Sequence, residues 1–158
     1  MSVDVETAYL RDRIQRYVQR GTFAGMREIE GRSGVSCFCF QWLLGAEFRL
    51  DWFRQKRELV FVNLLPAVAY PGFLDKELRQ FAAGKADASL PEHRRLDPRF
   101  VRLRYANKVG NGSFYLTLLE GDMEYALRSG LMVVNDLFAW LNLYHIDYLH
   151  QNFGVPEE

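Results

Sequence analysis

The chain has 158 residues, enough for one domain with a core of its own, and its 20 basic and 20 acidic side chains leave a formal net charge of zero. That balance argues against a protein that holds nucleic acid or a membrane surface through bulk charge. No run is apolar and long enough to cross a bilayer, and the opening MSVDVETAYLRDR carries acids and lacks the apolar core of a secretory leader.

Residues 4–20 predict an amphipathic helix: Thr7, Leu10, Ile14 and Tyr17 recur at helical spacing, with Val18 beside them. Asp4 and Glu6 lie at its start and Arg16 and Arg20 at its end, as the helix dipole favours, and Gly21 stops it. Residues 22–33 read as a short helical turn and a loop ending at Ser33-Gly34. Three strands follow. In VSCFCFQW, Ser36, Phe38, Phe40 and Trp42 share one face, and Val35, Cys37, Cys39 and Gln41 the other, until Gly45 ends the run. AEFRLDWF alternates strictly, Phe48, Leu50 and Trp52 against Glu47, Arg49 and Asp51, so one of its faces meets solvent. Arg54-Gln55-Lys56-Arg57 makes a turn, and ELVFVNLL, almost wholly apolar, is a central strand. Pro66 and Pro71-Gly72 close this segment.

Phe73, Leu74, Leu78 and Phe81 predict a short helix over FLDKELRQFAAG, stopped by Gly84, and residues 85–96 form a polar loop. Asp97-Pro98 reads as an N-cap with proline at the first helical position, giving a helix with Phe100, Leu103 and Asn107 along one side. The rival is a strand over RFVRLRY, in which Val101, Leu103 and Tyr105 alternate with Arg102 and Arg104. Next, SFYLTLL and MEYALRS, split by Glu120-Gly121-Asp122, predict a β-hairpin. A competing helix starts at Asp122 as N-cap; Ser129-Gly130 in its middle argues against it, since glycine costs about 1 kcal/mol inside a helix. A terminal helix over 131–149 carries Val134, Phe138, Leu141, His145 and Tyr148 on one stripe, and Val133, Leu137, Trp140 and Tyr144 on a second. Its polar side, with Asn135, Asp136, Asn142 and Asp147, also holds Met132, Leu143 and Ile146. The expected fold is therefore one α+β domain over residues 1–158: an antiparallel sheet of about five strands with helices packed on it, in the order α-βββ-α-ββ-α.

The chemistry-bearing residues form no catalytic signature. Cys37 and Cys39 are the whole cysteine content, have no distant partner, and read as buried thiols in a reducing, cytoplasmic compartment. His145 and His150 are five apart and do not share a helix face as paired metal ligands would; His145 reads as a core or boundary residue. His93 is the third histidine. Gly110-Asn111-Gly112 is turn chemistry, because it precedes a strand and lacks the Lys-Ser/Thr of a phosphate loop. Glu120, Asp122 and Glu124 match no cation loop and read as a solvated turn. No catalytic residue, cofactor or metal ligand is assigned. One basic cluster runs from Arg94 to Lys108, and on a helix Arg95, Arg99 and Arg102 would align, either as a patch for an acidic partner or as a solvated face.

The order of elements resembles the type III secretion chaperone-like fold, including the YbjN-like proteins. The local likeness lies in residues 104–141: Tyr105-Ala106-Asn107 at a helix end, a glycine turn, FYLTLLEGDMEYALRS as a hairpin, and a Leu/Phe-rich last helix. The segment 66–96 is longer and richer in loop than that family shows. The resemblance implies a non-enzymatic, often dimeric, cytoplasmic bacterial protein that binds another protein, and it carries over no catalytic residues. The share of aromatic residues, 15%, agrees with a protein-binding surface. The leading expectation is a chaperone- or adaptor-like homodimer that covers a hydrophobic segment of a partner with Met132, Leu143 and Ile146, and with Phe48 and Trp52 on the sheet. Membrane and nucleic-acid partners are not expected. The alternatives are an immunity or regulatory protein that blocks one partner through the Arg95, Arg99 and Arg102 patch, and a small-ligand domain with a pocket between sheet and helix.

Overall fold

A computed structural model describes residues 5–30 and 32–156. The elements are α1 (Val5–Gln19), β1 (Ala24–Glu30), β2 (Val35–Gln41), β3 (Glu47–Phe53), β4 (Glu58–Leu65), α2 (Phe73–Gly84), β5 (Val101–Lys108), β6 (Asn111–Leu118), α3 (Met123–Tyr144) and α4 (Ile146–Phe153). Single 3₁₀ turns lie at Leu43–Gly45 and Glu92–Arg94. The six strands make one antiparallel sheet in the order β1-β2-β3-β4-β6-β5. The α+β class and the antiparallel sheet agree with the sequence expectation, with six strands in place of five and the order α-ββββ-α-ββ-α-α.

The helices lie on one side of the sheet. Ser36, Phe48, Phe61, Tyr105, Phe114 and Leu116 share a face through the strand register. On that face Phe138 of α3 meets Phe48 (5.8 Å between ring centres), Phe81 of α2 meets Phe114 (6.5 Å), and Thr7 of α1 meets Ser36 (3.4 Å). Leu10, Ile14, Leu50, Trp52, Leu78, Val134, Leu137 and Leu141 fill the space between. The opposite face carries Arg27, Cys37, Cys39, Glu47, Arg49, Asp51, Glu58, Val60, Tyr115, Thr117, Arg102 and Arg104. Its charges are largely matched, across strands by Arg27 with Glu47 and Glu58 with Arg104, and along β3 by Arg49 with Asp51.

Both cysteines are buried on this second face, where the Arg49 Nη2 comes within 3.6 Å of Cys37 Sγ. Desolvation, reinforced for Cys37 by Asp51 and for Cys39 by Glu47, pushes both thiols above their ordinary pKa. Shielding and a scarce thiolate slow the same reaction. A thiol reagent is therefore expected to label Cys37 and Cys39 at least about tenfold more slowly in the native protein than in urea. Equal rates, read by mass spectrometry over time, would show this face to be open.

Four local expectations are corrected. Residues 22–33 are not a helical turn and loop; they contain edge strand β1, which pairs with β2 from Ala24 to Glu30. Its sequence AGMREIE is charged and short of apolar alternation because only one neighbour and one face need satisfying. Asp4, placed by the sequence at the start of the first helix, lies outside the described residues.

Residues 101–108 are a strand and not a helix. Asp97 does cap one turn, since its Oδ1 accepts from Arg99 N (2.9 Å) and its carbonyl accepts from Phe100 N and Val101 N. The chain then leaves that turn and pairs with β6 over the whole length of both strands. Pairing satisfies the backbone and buries Val101 and Tyr105, which one cap cannot match. The hairpin in this part of the chain is thus β5–β6, turned by Val109-Gly110 at φ +53° and +82°, the two-positive-φ turn that suits the strand twist.

The stretch MEYALRS is the first part of helix α3, with the Asp122 carboxylate accepting from Tyr125 N (2.9 Å) as N-cap. Gly130 does not break the helix; it lets the helix approach the sheet. A Cβ there would lie 3.1 Å from the Phe61 ring and 3.6 Å from Leu116 Cδ2. The terminal helix is also two helices, because the backbone at His145 (φ −140°, ψ 46°) ends α3 and α4 starts afresh. The helix-end-plus-hairpin pattern of residues 104–141 is consequently two strands followed by a helix.

Candidate binding surfaces

The residues singled out in the sequence do not gather at one place. Phe48 and Trp52, expected on an exposed sheet face, are 2% and 1% exposed and belong to the core. Phe48 packs between Phe40, Trp42 and Phe138. Strict alternation correctly separated an apolar from a polar side of β3, but the helices cover the apolar side. Met132 is half-buried against the core, and Ile146 is half-buried at the start of α4. Leu143 alone of these candidates is exposed, at 70%. Because the helix breaks at His145, Leu143 and Ile146 do not continue one strip.

Other large apolar side chains are exposed on the segments where α2 begins and α3 ends. Tyr70 and Phe73, before and at the start of α2, are 68% and 72% exposed, and Tyr144, at the end of α3, is 65% exposed. His145 ties the two helix ends together. Its ring lies 4.9 Å from Trp140 and 6.2 Å from Phe73, and its Nε2 is 2.6 Å from Glu77 Oε1 of α2. The boundary role expected for His145 is what this geometry shows. Trp140 also meets Tyr144 (6.3 Å) and Phe81 (5.4 Å), so the exposed rings rest on a half-buried aromatic base. Sequence reasoning put Phe73 and Tyr144 on inward stripes; nothing in a single helix's periodicity shows where a neighbouring helix stops covering it.

Beneath this patch is a buried polar knot. Asp75 of α2 is 3% exposed and accepts from Tyr105 Oη (2.9 Å), Asn107 Nδ2 (3.1 Å) and Arg79 Nε (3.0 Å). Asn107 Nδ2 also donates to the Val68 carbonyl, and its side-chain oxygen accepts from Gly110 N. The knot locks α2 to the β5–β6 hairpin. Burial and the hydrogen bond to Asp75 push the Tyr105 hydroxyl well above its ordinary pKa.

The second surface is a groove of about 790 Å³ between the 86–100 segment and the first half of α3, lined by His93, Arg95, Leu96, Asp97, Arg99, Phe100, Tyr125, Arg128, Ser129 and Met132 among others. The segment is held against α3 by Lys85 and Arg94, which reach Asp136 at 2.8 and 3.6 Å, and by Tyr125 Oη, which accepts from Asp97 N (2.9 Å). Arg99 pairs with Asp97 and, with its own backbone N–H, holds that carboxyl down at about 2. The strand register separates the basic cluster expected on one helix face: Arg95 and Arg99 lie at the groove, and Arg102 lies on the opposite sheet face with Arg104. Arg128 and Tyr125 were missed because MEYALRS was read as a strand.

Among the described residues no group of three or more His, Cys, Asp or Glu side chains is arranged to hold a metal ion. No helix among them is long and apolar enough to cross a membrane. No family model matches the chain, and no curated protein or solved structure matches it either.

Proposed function

We propose that this protein is a protein-binding module, adaptor- or chaperone-like in character, whose aromatic patch covers a hydrophobic segment of a partner. The observation that carries the reading is the exposure of Tyr70, Phe73, Leu143 and Tyr144, each by about two-thirds, on the two segments that His145 joins through Phe73 and Glu77 where α2 begins and α3 ends. Single exposed apolar residues are ordinary, but a set of large ones on a rigid aromatic base marks an interaction surface. The mechanism is passive: burial of the partner's apolar side chains supplies the free energy, and no bond is made or broken. A second copy of the chain is the other occupant that suits the patch, and a homodimer belongs to the same proposal. Membership of the type III secretion chaperone-like or YbjN-like group is also part of it, supported by an α+β domain with one antiparallel sheet and not by the pattern in residues 104–141.

Leu143→Asp combined with Tyr144→Asp tests the reading, since both side chains point largely into solvent and the variant should fold normally. The parent is expected to delay aggregation of a reduced, heat-unfolded client in light scattering, or to sediment as a dimer. The variant should lose that activity and sediment as a monomer with unchanged circular dichroism. A parent that neither protects a client nor self-associates, or a variant that keeps full activity, removes the patch as a binding surface.

A further inference from the structure

We propose that the groove between the 86–100 segment and α3 is a second binding site, selective for a carboxylate attached to an apolar or aromatic body. It is independent of the aromatic patch. Its volume, about 790 Å³, lies in the range of sites for small ligands or short peptide ends. Its lining combines two chemistries. Leu96, Phe100, Tyr125 and Met132 supply an apolar floor, with Phe100 and Tyr125 in edge-to-face contact at 5.3 Å. Arg95, Arg128 and His93 supply donors.

The arginines differ in readiness. Arg99 is neutralised by Asp97 in a two-point pair, so the groove's positive charge rests on the other two. Arg95 Nη1 donates to the Ala88 and Leu90 carbonyls, which fixes the guanidinium and leaves Nε and Nη2 for an acceptor in the groove. Arg128 makes no hydrogen bond or ion pair with the described residues, although Glu124 stands one helical turn before it. An orientated guanidinium and an unpartnered one lining the same groove suit a planar, two-oxygen anion. Glu92 is the remaining acid of the lining.

The neighbouring hollow fixes the ligand's direction. It is smaller, about 360 Å³, shares Phe100, Tyr125 and Arg128 with the groove, and is walled by Glu120, Asp122 and Glu124. Those acids repel a carboxylate and confine it to the Arg95 side of Arg128, while the aromatic body lies on Phe100 and Tyr125.

The site can be probed without knowing the natural ligand. Amide chemical shifts of residues 95–100 and 125–132 are followed by NMR against 3-phenylpropionate, 3-phenylpropionamide and inorganic phosphate. A tetrapeptide ending in phenylalanine, with its carboxylate free or amidated, forms a second arm. At least one of the two carboxylates is expected to saturate these shifts, with its amide and phosphate at least about tenfold weaker. Saturation by the small acid alone points to a metabolite, and by the peptide alone to a protein terminus. Arg128→Gln should weaken binding about tenfold, whereas Arg102→Gln, on the other sheet face, should not. Leu143→Asp with Tyr144→Asp should bind as the parent does, which keeps this site separate from the patch. Equal binding of acid and amide, equal binding of phosphate, an unchanged Arg128→Gln, or no saturation at tens of millimolar would each overturn the proposal.

Discussion

Trp52→Ala is expected to lower the stability of the fold by about 3–5 kcal/mol, a large part of the total for a domain of this size. Trp52 is 1% exposed near the end of β3, opposite Ser36 on one side and Leu59 on the other, and faces the helices. Truncation removes the largest fully buried side chain and leaves a void that the flanking strands cannot close. Urea unfolding should show a lower midpoint at unchanged slope. The result separates two roles for one residue. A tryptophan serving as an interaction residue would leave the midpoint within about 0.5 kcal/mol of the parent and reduce association only.

Asp75→Ala is expected to cost about 2–4 kcal/mol. The deletion strips Tyr105 Oη of its acceptor and frees Arg79, and it loosens Asn107, which holds the hairpin to the Val68 carbonyl. The pH dependence has a defined sign. Burial raises the Asp75 carboxyl, but the hydrogen bonds from Tyr105, Asn107 and Arg79 outweigh it and leave the pKa below the ordinary value. A depressed carboxyl stabilises the fold above its unfolded pKa of about 3.9, and that contribution is lost as pH falls through the folded value. The gap between parent and Asp75→Ala should therefore be flat from neutral pH down to about 5 and shrink below about 4. A gap that grows on acidification would mean that the carboxyl is not held ionised by this knot.

The legible parts of the sequence were those where local pattern and tertiary environment agree. Helix α1, strands β2 and β3, and helix α2 have a clean period and clear stops, β4 is a bounded apolar run, and each lies where that pattern places it. The misread parts are those where a local signal competes with packing. Asp97-Pro98 caps a real turn, yet the pairing of β5 with β6 decides the segment. Gly130 weakens α3 locally, yet the contact it permits with Phe61 and Leu116 decides the helix. In each case a cap or a glycine contributes about 1 kcal/mol, and several buried side chains outweigh it.

The candidate surfaces were less legible still. Leu143 was found as an apolar residue on a polar helix side, but the exposure of Tyr70 and Phe73, and their segment's approach to the end of α3 through His145 and Glu77, lie outside any one helix's period. Arg95 and Arg99 were found as part of a basic run, but Arg128 and the aromatic floor come from a helix distant in sequence.

The sequence by itself determined the α+β class and the charge balance, and it holds no recognisable catalytic motif. Only the tertiary structure decided which face each charge occupies, which aromatic rings stay uncovered, and that Arg99 in the groove is paired with Asp97. Composition and period are properties of neighbours along the chain. Coverage and pairing are properties of neighbours in space, and strand register fixes those through long-range hydrogen bonds that no local window contains.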